Sequence, residues 1–299
     1  MSSIRLASAQ FPVSEPQNWN VYADQIRAWV ADAAKNGAQL LLFPEYAAMS
    51  LAALFDTETR ADLNKQVQAM QSLRDDYLAL HVALAQQYGV YIVAGSFPWQ
   101  CEDGRVVNRA WFCAPDGRSS YQDKQIMTRF ERESWNVTSG DGLRIFRTKL
   151  GVIAINICYD CEFPLLARAQ CEAGAQLLLV PSCTDTNAGY HRVRVGAQAR
   201  ALENQCVVLQ SPLVGTAPWS AAVDINVGSA ALYGPPDYGF PDDGVIAQGT
   251  MNQAQWIYAD IDLDQIERVR QSGQVLNYEH WFEQNACGIA MPKVDIIDL

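Results

Sequence analysis

The segment Gly151-Val-Ile-Ala-Ile-Asn-Ile-Cys158-Tyr159-Asp160 is an apolar run that delivers a thiol to its end. Cys161-Glu162-Phe163-Pro164 then turns the chain toward a helix, a geometry that could expose the sulfur and point the following backbone N–H groups at an oxyanion. Two other segments supply what such a cysteine would need. Leu40-Leu-Leu-Phe-Pro-Glu45 is a buried strand that ends in a carboxylate, and a partly desolvated glutamate can take a thiol proton at neutral pH. Tyr121-Gln-Asp-Lys124 places an amine after a short strand, where it could hold the charge of a tetrahedral intermediate together with the Tyr159 N–H. Each segment alone also fits a plain structural role. Cys158 could be one more small core residue like Cys113 or Cys206, Glu45 a surface turn residue, and Lys124 half of a solvated ion pair.

Other chemistries lack their residues. The three histidines, His81, His191 and His280, have no metal-ligand spacing, so no metal site is expected. The sequence contains no phosphate-binding glycine loop and no Gly-x-Ser-x-Gly elbow. Cys158-x-x-Cys161 matches a dithiol spacing, which keeps a redox protein open as an alternative, although the preceding sequence lacks a thioredoxin-like context.

The elements that must position these residues alternate along the whole chain. Strands are predicted over 4–10, 39–43, 90–95, 106–114, 150–157, 176–180, 206–210, 229–233 and 255–261. Helices are predicted over 16–36, 61–88, 164–173, 191–204 and 263–271. This is the pattern of an α/β protein with helices packed on sheet faces, whose chemistry sits at strand ends. No linker, repeat or low-complexity tract divides the 299 residues, so one domain over 1–299 is expected.

About half the residues (49%) are hydrophobic, enough for a sizeable core, and the formal charge is −11. A surface this acidic repels phosphate backbones and anionic membranes, which argues against nucleic acid or membrane as the main partner. Met1 to Val13 lacks the long apolar stretch of a signal peptide, and no segment reaches the length of a membrane span. The eight cysteines, Cys287 included, therefore read as free thiols in the cytoplasm.

Phe43-Pro44-Glu45, Asp123-Lys124 and Ile157-Cys158-Tyr159-Asp160, in that order and 79 and 34 residues apart, together resemble the nitrilase superfamily of carbon–nitrogen hydrolases. The likeness runs from Ala7-Ser-Ala-Gln10 to Ala259-Asp260-Ile261-Asp262. It includes Ala199-Arg200-Ala-Leu-Glu203-Asn204, whose charges read as a paired internal network. The resemblance implies a four-layer α-β-β-α sandwich, a homodimer or higher homo-oligomer formed through the helical layer, and no cofactor. It implies a thioester mechanism with Cys158 as nucleophile, Glu45 as base and Lys124 as charge stabiliser. Counting back from Ser139-Gly140-Asp141 as in the family lands on Glu133 as a second active-site carboxylate, with Glu131 the neighbouring candidate. Tyr46, Tyr159, Thr184 and Asp185 follow strand ends and are the expected contacts to a small-molecule substrate. An amide is the first expectation, with a nitrile or an N-carbamoyl compound as alternatives and a non-catalytic binding protein as the class-level rival.

The chain departs from the family pattern after the cysteine. Where members commonly read Cys-Tyr-Asp-x-Arg-Phe-Pro-Glu, this chain has Glu162 in place of the arginine and Leu165 in place of the last glutamate. Glu162 and Asp185 would make the pocket edge acidic and suit an amine-bearing substrate. Alternatively, Glu162 pairs with an arginine from elsewhere in the chain.

Overall fold

A computed structural model describes residues 3–284. Cys287 lies outside the described residues. Two sheets stack face to face. The first runs Ser119–Asp123, Val106–Cys113, Tyr91–Gln100, Leu40–Leu42, Ile4–Pro12 and Gln255–Ile261 in spatial order. The second runs Ile145–Thr148, Gly151–Ile155, Leu177–Ser182, Val207–Thr216, Ala231–Tyr233 and Val245–Gln248. They join at one seam, where Phe11 and Pro12 pair in parallel with Leu213 and Val214.

Strand periodicity explains the layering. Along one strand Leu40 and Leu42 point into the layer between the sheets, with Leu6, Val93, Leu177 and Val207. Leu41 and Phe43 point the other way, onto Tyr22 and Ile26 of the helix Trp19–Lys35 and onto Tyr77 and Leu84 of the helix Arg74–Tyr88. Pro164–Glu172 and Asn187–Asn204 cover the outer face of the second sheet. The result is the four-layer α-β-β-α order expected from the sequence. With both faces of the central strands covered, Leu177-Leu-Leu-Val180 is buried without alternation.

The long helix predicted over 61–88 is broken. Thr57–Ala61, Leu63–Met70 and Arg74–Tyr88 are separate helices, with a short 3₁₀ turn at Gln71–Leu73. Asp62 causes the first break: its backbone is extended (φ −106°, ψ 118°) and its carboxylate caps the N–H groups of Asn64 and Lys65. An aspartate that caps a new helix cannot continue the old one. Ser119–Asp123, Ile145–Thr148 and Val245–Gln248 are strands in the structure, paired with neighbours far along the chain or across a turn.

One glycine is fixed by a close approach. Gly95 has φ +77° at the irregularity in strand Tyr91–Gln100, and a Cβ there would stand 2.3 Å from the Pro44 carbonyl oxygen. Gly95→Ala is expected to cost about 2–4 kcal/mol, read as a lowered urea midpoint, because a rigid backbone oxygen cannot give way. The variant should also lose activity, since Pro44 directly precedes Glu45.

Among the described residues, no helix is long and apolar enough to cross a membrane.

Candidate active site

Three strand ends bring the site together. Glu45 follows Leu40–Leu42, where Phe43 N–H donates to the Val93 carbonyl (3.0 Å) and Ser96 N–H to the Pro44 carbonyl (3.3 Å). Lys124 follows Ser119–Asp123; its N–H donates to the Asn108 carbonyl (2.9 Å) and its carbonyl accepts from Gly140 N–H (2.8 Å). Cys158 follows Gly151–Ile155 and opens the turn Cys158–Glu162, before Pro164 starts a helix. Both Tyr46 (φ 57°) and Cys158 (φ 50°) adopt left-handed backbone. For non-glycine residues that conformation is strained, and such strain concentrates at sites where geometry matters.

Asp160 ties the cysteine turn to the lysine loop. Its buried carboxylate accepts from the N–H groups of Ile126 (2.8 Å), Gln125 (3.1 Å) and Ile157 (3.2 Å). Burial pushes its pKa up to about 7, against the opposing pull of Lys124 and of those N–H donors. On the other side of the turn, Arg200 Nη1 donates to the Cys161 carbonyl (2.9 Å) while its Nε pairs with Glu203 (2.6 Å). The charges at Arg200 and Glu203 are thus an internal network, as their sequence context suggests.

Lys124 is buried between two carboxylates. Its Nζ lies 2.8 Å from Glu45 Oε1 and 2.7 Å from Glu131 Oε2. Glu131 also accepts from Tyr46 Oη (2.7 Å), Thr128 Oγ1 (2.8 Å) and Thr128 N–H (2.9 Å). Glu133, the residue favoured from the family's spacing, is elsewhere: it is exposed and paired with Arg129 (2.9 Å). The reason is helical. In Arg129–Glu133, residues two apart point about 200° away from each other, so the helix that turns Glu131 inward turns Glu133 out. A signal for Glu131 was present as the capping box Thr128-x-x-Glu131. Glu131→Gln is expected to lower kcat about a hundredfold while Glu133→Gln stays within twofold of the parent, measured on one substrate at fixed pH.

The electrostatics separate the two glutamates. Burial raises the pKa of Glu45, Glu131 raises it further, and Lys124 only partly offsets this. Burial acts on Glu131 in the same sense, but Lys124, Thr128 and Tyr46 outweigh it and hold Glu131 below its ordinary value. Burial also opposes the Lys124 ammonium, yet the two carboxylates keep its pKa well above that of a free lysine. The Cys158 thiol is pushed well up, by burial first and by Glu45 second, with Lys124 opposing. The site therefore sets a thiol beside a carboxylate of raised proton affinity, an ammonium favoured by two carboxylates and a second carboxylate whose charged form is favoured.

Sequence reasoning missed two contributors. Asn108 donates from Nδ2 to Glu45 Oε1 (2.8 Å) and Glu131 Oε1 (3.2 Å). Its only sequence signal is a polar residue inside the apolar strand Val106–Cys113. Cys183 acts through its backbone: its N–H donates to Glu45 Oε2 (2.9 Å), and its carbonyl accepts from Cys158 Sγ (3.8 Å).

A cavity of about 670 Å³ opens over the trio. Tyr46, Tyr159, Thr184 and Asp185 all line it, as does Glu131 and unlike Glu133. The Tyr46 hydroxyl is committed to Glu131 and the Thr184 hydroxyl to the Val227 carbonyl (2.8 Å), so these two shape the wall. The Tyr159 N–H donates to no protein acceptor among the described residues. Phe130, Trp135, Ala222 and Ile225 give an apolar side to the mouth. Glu162 faces Arg192 across 3.8 Å, the swapped ion pair considered from the sequence. Cys161 is buried, unpaired, and directs Sγ to the Val193 carbonyl (3.5 Å). Among the described residues, no group of histidine, cysteine, aspartate or glutamate side chains is arranged to hold a metal ion.

Comparison with known proteins agrees with this architecture. The family model described as "Carbon-nitrogen hydrolase" matches residues 5–271. The "Probable hydrolase YhcX" of Bacillus subtilis is 33% identical over 277 residues, covering 91% of this chain and 52% of that protein. The chain thus spans about half the length of that relative. "Omega-amidase NIT2" of Xenopus tropicalis is 26% identical over 280 residues, with 91% and 93% covered. The crystal structure of Saccharomyces cerevisiae Nit3, a member of branch 10 of the nitrilase superfamily, superposes with a TM-score of 0.72 at 20% identity, covering 91% of this chain and 94% of that one.

Proposed function

Because the chain belongs to the carbon–nitrogen hydrolase family, we propose that it hydrolyses a small-molecule amide to a carboxylate and ammonia or an amine, through a thioester on Cys158. The observation that carries this reading is the buried Lys124 held between Glu45 and Glu131, with the Cys158 thiol at the floor of the same cavity.

Glu45 takes the thiol proton as the sulfur attacks the amide carbon. The oxyanion meets Lys124, which has two N–H groups on carboxylates and a third left over, and the Tyr159 N–H. Collapse of the intermediate expels the amine, which leaves with the proton from Glu45. Water enters, gives a proton to the same carboxylate, and attacks the thioester. The second tetrahedral intermediate releases the acid and the Cys158 thiolate, which recovers its proton from Glu45. Glu131 stays ionised throughout and keeps Lys124 charged.

An amide is preferred over a nitrile or a carbamoyl substrate because a relative matched over nearly its whole length is an omega-amidase. Ammonia release from a panel of small amides, nitriles and N-carbamoyl compounds tests this. Turnover of nitriles alone would replace the amidase reading, and inertness toward the whole panel would count against it. The thiol chemistry requires a reducing compartment, and the cytoplasm meets that need. Leu165, Val195 and Leu202 stand exposed on the outer helices, apolar surface that assembly into a homodimer or higher homo-oligomer would cover.

A further inference from the structure

The two carboxylates of the site are bridged twice. Lys124 Nζ links Glu45 Oε1 to Glu131 Oε2. Asn108 Nδ2 links the same Glu45 Oε1 (2.8 Å) to Glu131 Oε1 (3.2 Å). Asn108 is fully buried, and chemistry fixes which end of its amide faces the pair: an amide oxygen there would meet two acceptors. Its Oδ1 has no hydrogen-bond partner among the described residues. An orphaned buried acceptor is costly, so the two Nδ2 contacts must offset it.

We infer that Asn108 is a positioning residue for the hydrolytic reaction: by donating to both carboxylates it keeps Glu45 in the proton-accepting form and leaves the third Lys124 N–H free for the oxyanion. The inference rests on the proposed roles of Cys158, Glu45 and Lys124. Lysine has three N–H groups, and two are spent on Glu45 and Glu131. If the lysine alone had to hold the carboxylates apart, its ammonium would be drawn away from the cavity it lines. The neutral bridge of Asn108 shares that task without adding charge.

The effect on Glu45 has a definite sign. The groups around it are Lys124, Glu131, Cys158, Cys183 and Tyr46. Of these, Lys124 favours its ionised form and Glu131 opposes it. A donor from Asn108 stabilises the carboxylate and gives nothing to the carboxylic acid. Its loss therefore raises the proton affinity of Glu45.

Alkylation of Cys158 by iodoacetamide, followed across pH by mass spectrometry on the full chain, reads this without a known substrate. In the parent protein Cys158 should react faster than Cys101, with an acid limb set by Glu45. Asn108→Leu should move that limb upward by about one pH unit or more, so that the rate below the limb falls about tenfold. Asn108→Ser, which restores a shorter donor, should recover part of the shift. With a substrate in hand, kcat should fall while KM stays within about threefold. An undisplaced limb in both variants overturns the role of Asn108 and leaves the hydrolase reading standing. Parent Cys158 reacting no faster than Cys101 would instead overturn the catalytic reading itself. Should the leucine variant fail to fold in a thermal scan, the serine variant decides alone, and an unmoved limb there is sufficient to reject the inference.

Discussion

Cys158→Ala is expected to reduce turnover of the best amide substrate by on the order of 10⁴-fold or more, because the variant has no atom able to form the thioester. The fold should survive. The substitution removes a single buried sulfur from a turn held by Asp160 on one side and by Arg200 on the other. A cost of about 1–2 kcal/mol is expected, seen as a drop of a few degrees in the melting temperature. Cys158→Ser should be nearly as inactive, since a serine hydroxyl is far harder to deprotonate than a thiol and Glu45 cannot make up the difference. The neighbouring thiol is the natural control. Cys161 points into the Asn187–Asn204 helix, away from the cavity, so Cys161→Ser should retain most activity. Full activity in the Cys158→Ala protein would remove the nucleophile from the scheme. A loss in Cys161→Ser equal to that in Cys158→Ala would revive the dithiol alternative.

The second large effect concerns the base. Glu45→Gln preserves size but cannot accept a proton, and it should slow single-turnover acylation of Cys158 by on the order of 10³-fold or more. It also carries a modest structural penalty. Glu45 Oε1 accepts from Lys124 and Asn108 while Oε2 accepts from Cys183 N–H, so every orientation of a glutamine amide turns its NH₂ toward a donor. About 1–3 kcal/mol of stability should go with that mismatch. Glu45→Asp keeps the charge but withdraws it by one methylene, about 1.5 Å. Contacts now at 2.8 Å to Lys124 and Asn108 would stretch beyond hydrogen-bond length. Its acylation should be slowed on the order of 10²-fold, with substrate affinity largely kept in both variants. An acylation rate in Glu45→Gln equal to the parent's would transfer the role of base to Glu131, the other carboxylate bonded to Lys124.

The parts of the site legible in the sequence are those whose signal is local. Glu45 and Cys158 each close an apolar strand and Lys124 follows a short polar one, and a strand end followed by proline or a polar turn is visible in a single segment. Glu131 was harder, because counting residues along a loop says nothing about which side of a helical turn faces inward. The capping box at Thr128 carries that information, and the spacing argument ignored it. Asn108 could not be read at all, since a polar residue in a buried strand acquires meaning only from the groups opposite it, and those lie at positions 45 and 131. The same limit applies to the fold. Strand positions along the chain follow from periodicity, but the order in which they pair does not. The seam between residues 11–12 and 213–214 joins parts of the chain that share no local signal. The break at Asp62 shows the converse case, where a capping aspartate was visible and the apolar periodicity around it dominated the reading.

Glu45 and Lys124 hang from one sheet, whereas Cys158 and Cys183 hang from the other. The proposed nucleophile and its proposed base are thus not mounted on a common strand system, and their separation is the spacing of the sandwich itself. Leu42 and Val93 on one side and Leu177 and Val207 on the other act as the shims that set it. Catalysis in such a molecule is a gauge of how tightly its layers are clamped. Mild denaturant or a trimmed shim that lets the sheets slide by a fraction of an ångström would silence the enzyme while each sheet still held its hydrogen bonds. Loss of activity would then come before loss of the circular dichroism signal, and the interval between the two would measure the stiffness of the layer that no substrate touches.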